Sequence, residues 1–140
     1  MTGRVLVDAG PLVAILYHRD PHHSVCVDQL HQIRRPLLTC WPVITEAAWL
    51  LRRRPEAVQR LLRGFETDGL RLLHLDETAL PWMAAFVERY RNLRAQVADA
   101  ALVYLAEREG IDTVFTLDRR DFSVYRMRNN IRLRLLPLVH

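Results

Sequence analysis

The sequence predicts an α/β fold, with three α/β/α layers around a central, mostly parallel sheet of four to five strands. Three observations carry that prediction. Short apolar runs alternate with longer helical patterns along the 140 residues. The apolar runs are continuous rather than alternating, which suits strands buried on both faces. No linker, repeat or shift of composition divides the chain, so residues 1–140 read as one domain.

The first strand is expected over 4–8, RVLVD, where three apolar residues close on an acid. Further strands are expected over 37–41 (LLTCW), 70–75 (LRLLHL) and 113–117 (TVFTL), with an edge strand in the last apolar stretch, 132–138. Helical patterns occupy about 10–17, 22–34, 43–53, 55–67, 77–91 and 97–109. Pro55 separates the third helix from the fourth, because proline removes a backbone donor and restrains the residue before it. Gly69 and Gly110 stand where helices should stop.

Composition narrows the function classes. Half of the residues are apolar and 26% are charged, a balance that excludes disordered and low-complexity chains. Two cysteines, Cys26 and Cys40, are too few for a secreted disulfide scaffold and suit a reducing, cytoplasmic setting. Asp8 and then Gly10-Pro11 interrupt the first apolar run, so a signal peptide is not expected, and no apolar stretch is long enough to span a membrane. The net charge is +4, and all 20 basic residues are arginine. Arginine's planar fork suits phosphate, although a composition bias would give the same count.

In open α/β folds ligands bind beyond the carboxyl ends of the strands. Asp8 ends the first apolar run and Asp118 the fourth. Glu46 lies early in the helix after the second run, and Asp99 early in the helix of QVADAALVYLAE. All four are therefore expected at one end of the sheet. Glu46 and Asp99 have no basic partner at i±3 or i±4, and both sit in apolar stretches. A carboxylate buried without a partner is costly, and clustered carboxylates also repel one another. A divalent cation relieves both problems, and oxygen-only ligands favour Mg²⁺ or Mn²⁺ over zinc. Taken singly, Asp8 and Asp118 equally suit helix caps or turns, and Glu46 and Asp99 the positive ends of their helices. It is the joint placement that points to a metal site.

At these residues the sequence resembles a PIN domain, and among PIN domains the VapC-type toxins of bacterial toxin–antitoxin pairs. VDAGPLVAIL is similar to the family's first motif, TEAAWLL to the second, and VADAALVYLAEREGIDTVFTLDRRDF to the third and fourth together. The four acids follow in order with gaps of 38, 53 and 19 residues. The resemblance implies a metal-dependent endoribonuclease in which Asp8, Glu46, Asp99 and Asp118 form the catalytic and metal-binding set. Glu46 would be a direct ligand, a ligand through water, or the group that orients the attacking water. Thr116 would be a supporting hydroxyl and Asp121 an accessory acid. The family often carries an extra Asp shortly before the third acid. Here Asn92 and Gln96 occupy that segment, and Asn92 is expected to orient a neighbour by hydrogen bonding. An RNA substrate, a cognate antitoxin and a homodimer are further implications of the resemblance. Two other readings use the same residues: a different Mg²⁺- or Mn²⁺-dependent nuclease or phosphoesterase, and a PIN-fold module that binds RNA or protein without cutting.

Several other features have a functional and a structural reading. Arg119 and Arg120 would steer the RNA backbone, or else sit in a solvated loop beside Asp121. Arg52, Arg53 and Arg54, like Arg34 and Arg35, would complement a helix C-terminus. His18, His22 and His23 lack a matching ligand pair for zinc, and His23 is expected on an exposed helix start. Trp41, Trp49 and Trp82 are expected in the core or an interface rather than as base-stacking platforms. The stretch from Leu12 to Ile33, with Leu16, Tyr17, Val25 and Leu30, would offer an apolar groove to a partner helix.

Overall fold

A computed structural model describes residues 3–138. β1 (Leu6–Val7) runs into α1 (Ala9–Leu16) and α2 (His23–Leu30), and the chain returns as β2 (Leu37–Thr39). α3 (Trp41–Leu50) and α4 (Pro55–Arg63) lead to β3 (Leu70–Leu72). A 3₁₀ turn over Glu77–Ala79, α5 (Leu80–Arg89) and α6 (Val97–Glu109) precede β4 (Thr113–Phe115). The chain ends through α7 (Arg119–Phe122), β5 (Arg126–Met127), β6 (Ile131–Arg132) and β7 (Arg134–Leu136).

Five strands form one sheet in the order β3-β2-β1-β4-β7, and every pairing in it is parallel. Val5, Leu6, Val7, Leu37, Leu38, Val114 and Phe115 are all buried. Successive strand residues face opposite sides, so burial of consecutive residues means that both faces are covered. The expected three-layer arrangement around a parallel sheet is therefore present. The run at 132–138 does contain an edge strand, β7, paired with β4.

α6 occupies the 97–109 stretch that the sequence marks as helical. It is buried almost all round, from Ala98 to Val103 and again at Leu105 and Ala106, which is the pattern of a helix inside the core. Leu102 and Leu105 are fully buried, each worth about 1.5–3 kcal/mol of apolar transfer. Gly110 caps it in the left-handed region at φ 66°, where a side chain would be strained. Pro55 opens α4 as its first residue, a position that needs no backbone donor.

Other expectations change. α3 begins at Trp41 rather than 43, because extended Cys40 caps it and Pro42 sits in its first turn. β2 is correspondingly shorter. Trp41 and Trp49 are exposed, at 61% and 63%, not in the core. Trp82 is half-buried, stacked on Phe86 with centroids 5.5 Å apart. His23 is half-buried at the start of α2, and its Nδ1 donates to the Ala14 carbonyl at 2.7 Å, tying α2 to α1. Of the expected groove residues, Val25 is exposed, while Leu16, Tyr17 and Leu30 are half-buried. Arg54 lies 3.9 Å over the Tyr17 ring and donates to its hydroxyl, so that groove is partly closed. α7 and the β5–β6 hairpin have no counterpart in the sequence pattern. The hairpin turns through Asn129 and Asn130, both at positive φ, a conformation asparagine tolerates. Among the described residues no helix is long and apolar enough to cross a membrane. Cys26 and Cys40 are free and buried, and burial pushes their thiols up to about 11 and about 12.

Candidate functional site

The sheet order fixes where a ligand can sit. From β1 the chain crosses to β2 on one side, and it later returns to place β4 on the other. The crevice beyond the carboxyl ends of β1 and β4 is thus the switch point of the topology, the usual binding place in open α/β sheets. Asp8 follows β1 and Thr116 follows β4. Asp8 N donates to the Phe115 carbonyl at 2.9 Å, which locks the two strand ends together.

A cleft of about 530 Å³ opens there, lined by Asp8, Glu46, Asp99, Asp118 and Asp121 among others. The structure therefore gathers the four acids at one end of the sheet, from four separate segments. Asp8 is buried and both its oxygens are engaged. Oδ1 accepts from Ala9 N at 2.8 Å, capping α1, and Oδ2 accepts from Thr116 Oγ1 at 2.8 Å. Thr116 is fully buried, and its hydroxyl also accepts from Asp118 N at 3.0 Å. One hydroxyl thus bridges two acids of the cleft. Asp118 in turn accepts from Asp121 N at 3.3 Å and caps α7. For Asp8 and Asp118, capping a helix and lining the cleft are the same arrangement.

Asp99 is buried on the first turn of α6. On its own helix it accepts only a long hydrogen bond, 3.5 Å from Gln96 N at the N-cap, and its closer partner comes from elsewhere. Tyr125 donates to Asp99 Oδ2 at 2.7 Å. Tyr125 is fully buried, with its ring 4.9 Å from Phe86, 4.9 Å from Tyr90 and 5.0 Å from Phe122, centroid to centroid. That aromatic cluster fixes the hydroxyl, and so the carboxylate it holds. Glu46 departs from expectation. It is exposed at the cleft wall rather than buried, and no side-chain hydrogen bond reaches it among the described residues.

The electrostatics follow from burial and crowding. Burial raises Asp8 to about 6, against the hydrogen bonds from Thr116 and Ala9, and the charges of Glu46 and Asp118 add to the rise. Burial likewise raises Asp99 to about 6, opposed by the Tyr125 hydrogen bond and reinforced by Asp8 and Asp118. Glu46 is raised by desolvation and then by Asp99 and Asp118, and Asp118 by desolvation and Asp121. The cleft holds more negative charge than it can solvate cheaply.

The ligating groups of the lining are carboxylates and the Gln96 side-chain amide, with no imidazole or thiol among them. That set fits a hard divalent cation such as Mg²⁺ or Mn²⁺ rather than zinc. Among the described residues, no three carboxylate, imidazole or thiol side chains converge tightly enough to form a preassembled cage. The His18, His22 and His23 stretch provides none either.

A model of the PIN domain matches residues 5–127. The chain belongs to the PIN domain family. Ribonuclease VapC26 of Mycobacterium tuberculosis is 27% identical over 135 residues, spanning 95% of this chain and 100% of that protein. Among solved structures, VapC20 of M. tuberculosis, described as a sarcin-ricin loop cleaving toxin, superposes with a TM-score of 0.76 at 17% identity. It covers 82% of this chain and 90% of its own. A chain of a toxin–antitoxin complex from Klebsiella pneumoniae gives a TM-score of 0.66 at 14% identity, over 86% of this chain and 91% of its own. At those identities the two structures speak for the fold.

In this PIN domain the remaining expected site residues fall differently. Asn92 is exposed and outside the cleft lining, and no side-chain hydrogen bond joins it to a neighbour among the described residues. It does not orient an acid. Arg119 donates from its guanidinium to the Pro137 carbonyl at 2.6 Å, which fastens α7 to the end of β7. Arg120 is exposed beside Asp118, and its charge favours the ionised form of that acid. Sequence reading missed Tyr125, and it missed Arg94, which lines the cleft.

Thr116→Val tests the bridge. Valine keeps the shape but leaves Asp8 Oδ2 and Asp118 N without their shared partner. Loss of such an orienting partner is expected to cost roughly 10–100-fold in divalent-metal affinity, read as the Mg²⁺ midpoint in a thermal-shift titration. An unchanged midpoint would show that the bridge does not support the acids.

Proposed function

We propose that this PIN domain is a metal-dependent endoribonuclease of the VapC toxin type, cutting RNA phosphodiesters and held in check by a cognate antitoxin in the cytoplasm. The observation that carries this reading is the single cleft. Acids from four segments, spaced as in the family's motifs, line one crevice at the switch point of the sheet. Full-length alignment with a PIN-domain relative named as a ribonuclease supports the substrate class. A homodimer, one domain over 1–140 and the antitoxin belong to the same reading.

Asp8, Asp99 and Asp118 would hold the cation, with Glu46 as a further ligand or the group that orients the attacking water. When bound, Mg²⁺ or Mn²⁺ supplies water activation and charge stabilisation at the phosphoryl group. The chain's own residues do the rest. Thr116 holds Asp8 and the Asp118 backbone in register, and Tyr125 holds Asp99. Glu46 has no competing side-chain hydrogen bond among the described residues, and its raised proton affinity suits it to accept a proton from the attacking water. Attack forms one P–O bond as the opposite one breaks, and the leaving oxygen takes up a proton. Arg120 and Asp121 stand at the edge of this arrangement, the first to attract backbone phosphate and the second as an accessory acid.

The test is cleavage of total cellular RNA by purified, antitoxin-free protein with Mg²⁺ or Mn²⁺. Discrete fragments that vanish in EDTA are expected. Equal cleavage of single-stranded DNA would favour a general nuclease. Binding without cleavage would favour a PIN-fold RNA-binding module.

A further inference from the structure

An acidic cleft is a poor place for a polyanion. The lining carries five carboxylates, and RNA brings a charge with every nucleotide. Something in the cleft must attract the strand besides the cation at the scissile phosphate. Two of the arginines near the site are already engaged, and Arg120 stands at its edge, outside the cleft lining. Arg119 is bound to the Pro137 carbonyl, and Arg91 pairs with Glu88. Arg94 is different. It is the one basic residue among those lining the cleft, it is exposed, and it makes no ion pair among the described residues. Its backbone lies in the left-handed region, at φ 56° and ψ 44°. Among the described residues the other non-glycine positions at positive φ are Asn129 and Asn130, a type that accepts this region, whereas arginine rarely does. The turn that ends the 3₁₀ segment Arg91–Leu93 thus presents a free guanidinium beside the acids.

We infer that Arg94 is a phosphate-positioning residue of the cleft, holding a backbone phosphate of single-stranded RNA against the carboxylates. The guanidinium fork matches two phosphate oxygens at once. An unpaired cation within a negative cleft also lowers the barrier to entry of a negatively charged strand. This inference rests on the ribonuclease reading, and the experiment separates the two.

The probe is a fluorescein-labelled single-stranded RNA oligonucleotide of mixed sequence. Its binding is followed by anisotropy over a salt series in an Asp8→Asn background, with Arg94 intact or changed. For Arg94→Gln, affinity is expected to fall about tenfold, and the plot of log affinity against log salt to become shallower by about 0.7, the value for one phosphate contact on a single strand. Arg94→Lys should keep the slope. In otherwise wild-type protein, Arg94→Gln should raise KM far more than it lowers kcat. Arg94→Gly controls for the backbone, because glycine adopts this conformation without strain. It should fold normally and lose RNA affinity as the Gln variant does. The Mg²⁺ midpoint in thermal shift should stay the same or fall to lower concentration, since a repelling charge has left. No RNA binding with Arg94 intact would remove the ribonuclease reading and this inference with it. Binding with Arg94 intact that is unchanged in Arg94→Gln would overturn the inference alone. So would a joint loss of RNA binding and of the Mg²⁺ response, which would make Arg94 a support for the acids instead.

Discussion

Asp8→Asn is expected to stop RNA cleavage and, in the metal-free protein at neutral pH, to raise the melting temperature. The two effects share one cause. Asp8 is only 8% exposed, and burial raises its carboxyl from 3.8 to about 6, with Glu46 and Asp118 adding to the rise. Near pH 7 the group is nevertheless ionised, so folding carries a cost on the order of 1–3 kcal/mol for keeping that charge in place. Asparagine removes the charge without emptying the site. Its carbonyl oxygen can accept from Ala9 N, since asparagine caps helices as well as aspartate does. Its amide can donate to the Thr116 hydroxyl, which has a second lone pair beyond the one facing Asp118 N. For a chain of this size the melting temperature should rise by roughly 3–8 °C. Cleavage should fall by about a hundredfold or more, because a neutral amide is a poor ligand for a hard cation. Calorimetry in EDTA and cleavage in Mg²⁺ read the two arms. An ordinary damaging substitution would lower both quantities. Retained cleavage would remove Asp8 from the catalytic set, and a lowered melting temperature would show that the carboxylate stabilises the metal-free fold.

The same trade-off explains what the sequence made legible. Acids at strand ends are visible because the strands are continuous apolar runs that stop at a charge, as VLVD and VFTLD do. The side-chain partner of Asp99 was not visible. Tyr125 lies 26 residues further on, and it reaches Asp99 through a ring cluster that only the tertiary fold assembles. Local i±4 logic therefore described Asp99 as unpartnered when it is not. Glu46 failed in the opposite direction. Trp49 and Leu50 made its helix look buried, yet both are exposed, as is Glu46 itself. Hydrophobic pattern reports what prefers to be buried, not what is. α7 has four residues and β5 and β6 two each, too short for any period to register. Arg94 carries no sequence signal, because nothing in RNLRA announces a left-handed backbone at its fourth residue.

Protons and the divalent cation compete for this cleft, which makes stability depend on pH in a definite direction. Asp8 and Asp99 both rise to about 6 in the folded protein, from 3.8. Well below pH 3.8 each group is protonated whether folded or not, and contributes no difference. Between about 4 and 6 the unfolded chain releases its protons while the folded chain keeps them, so the folded state binds more protons and stability falls as pH rises. Above about 6 the loss is complete and the profile levels. The clean readout is the difference in unfolding free energy between Asp99→Asn and wild type, both in EDTA. It should be near zero at about pH 2.5, well below the unfolded value, and grow through about pH 6 to a plateau. Mg²⁺ acts on the same groups with opposite sign. It binds the ionised carboxylates, so the melting-temperature gain from adding it should be small at about pH 5 and large at about pH 7.5. At a hundred times its dissociation constant that gain corresponds to about 2.7 kcal/mol. A stability difference that does not vary with pH would mean that folding leaves the proton affinity of Asp99 unchanged. A Mg²⁺ effect independent of pH would place the cation away from Asp8 and Asp99, and the cleft would lose its claim to be the metal site.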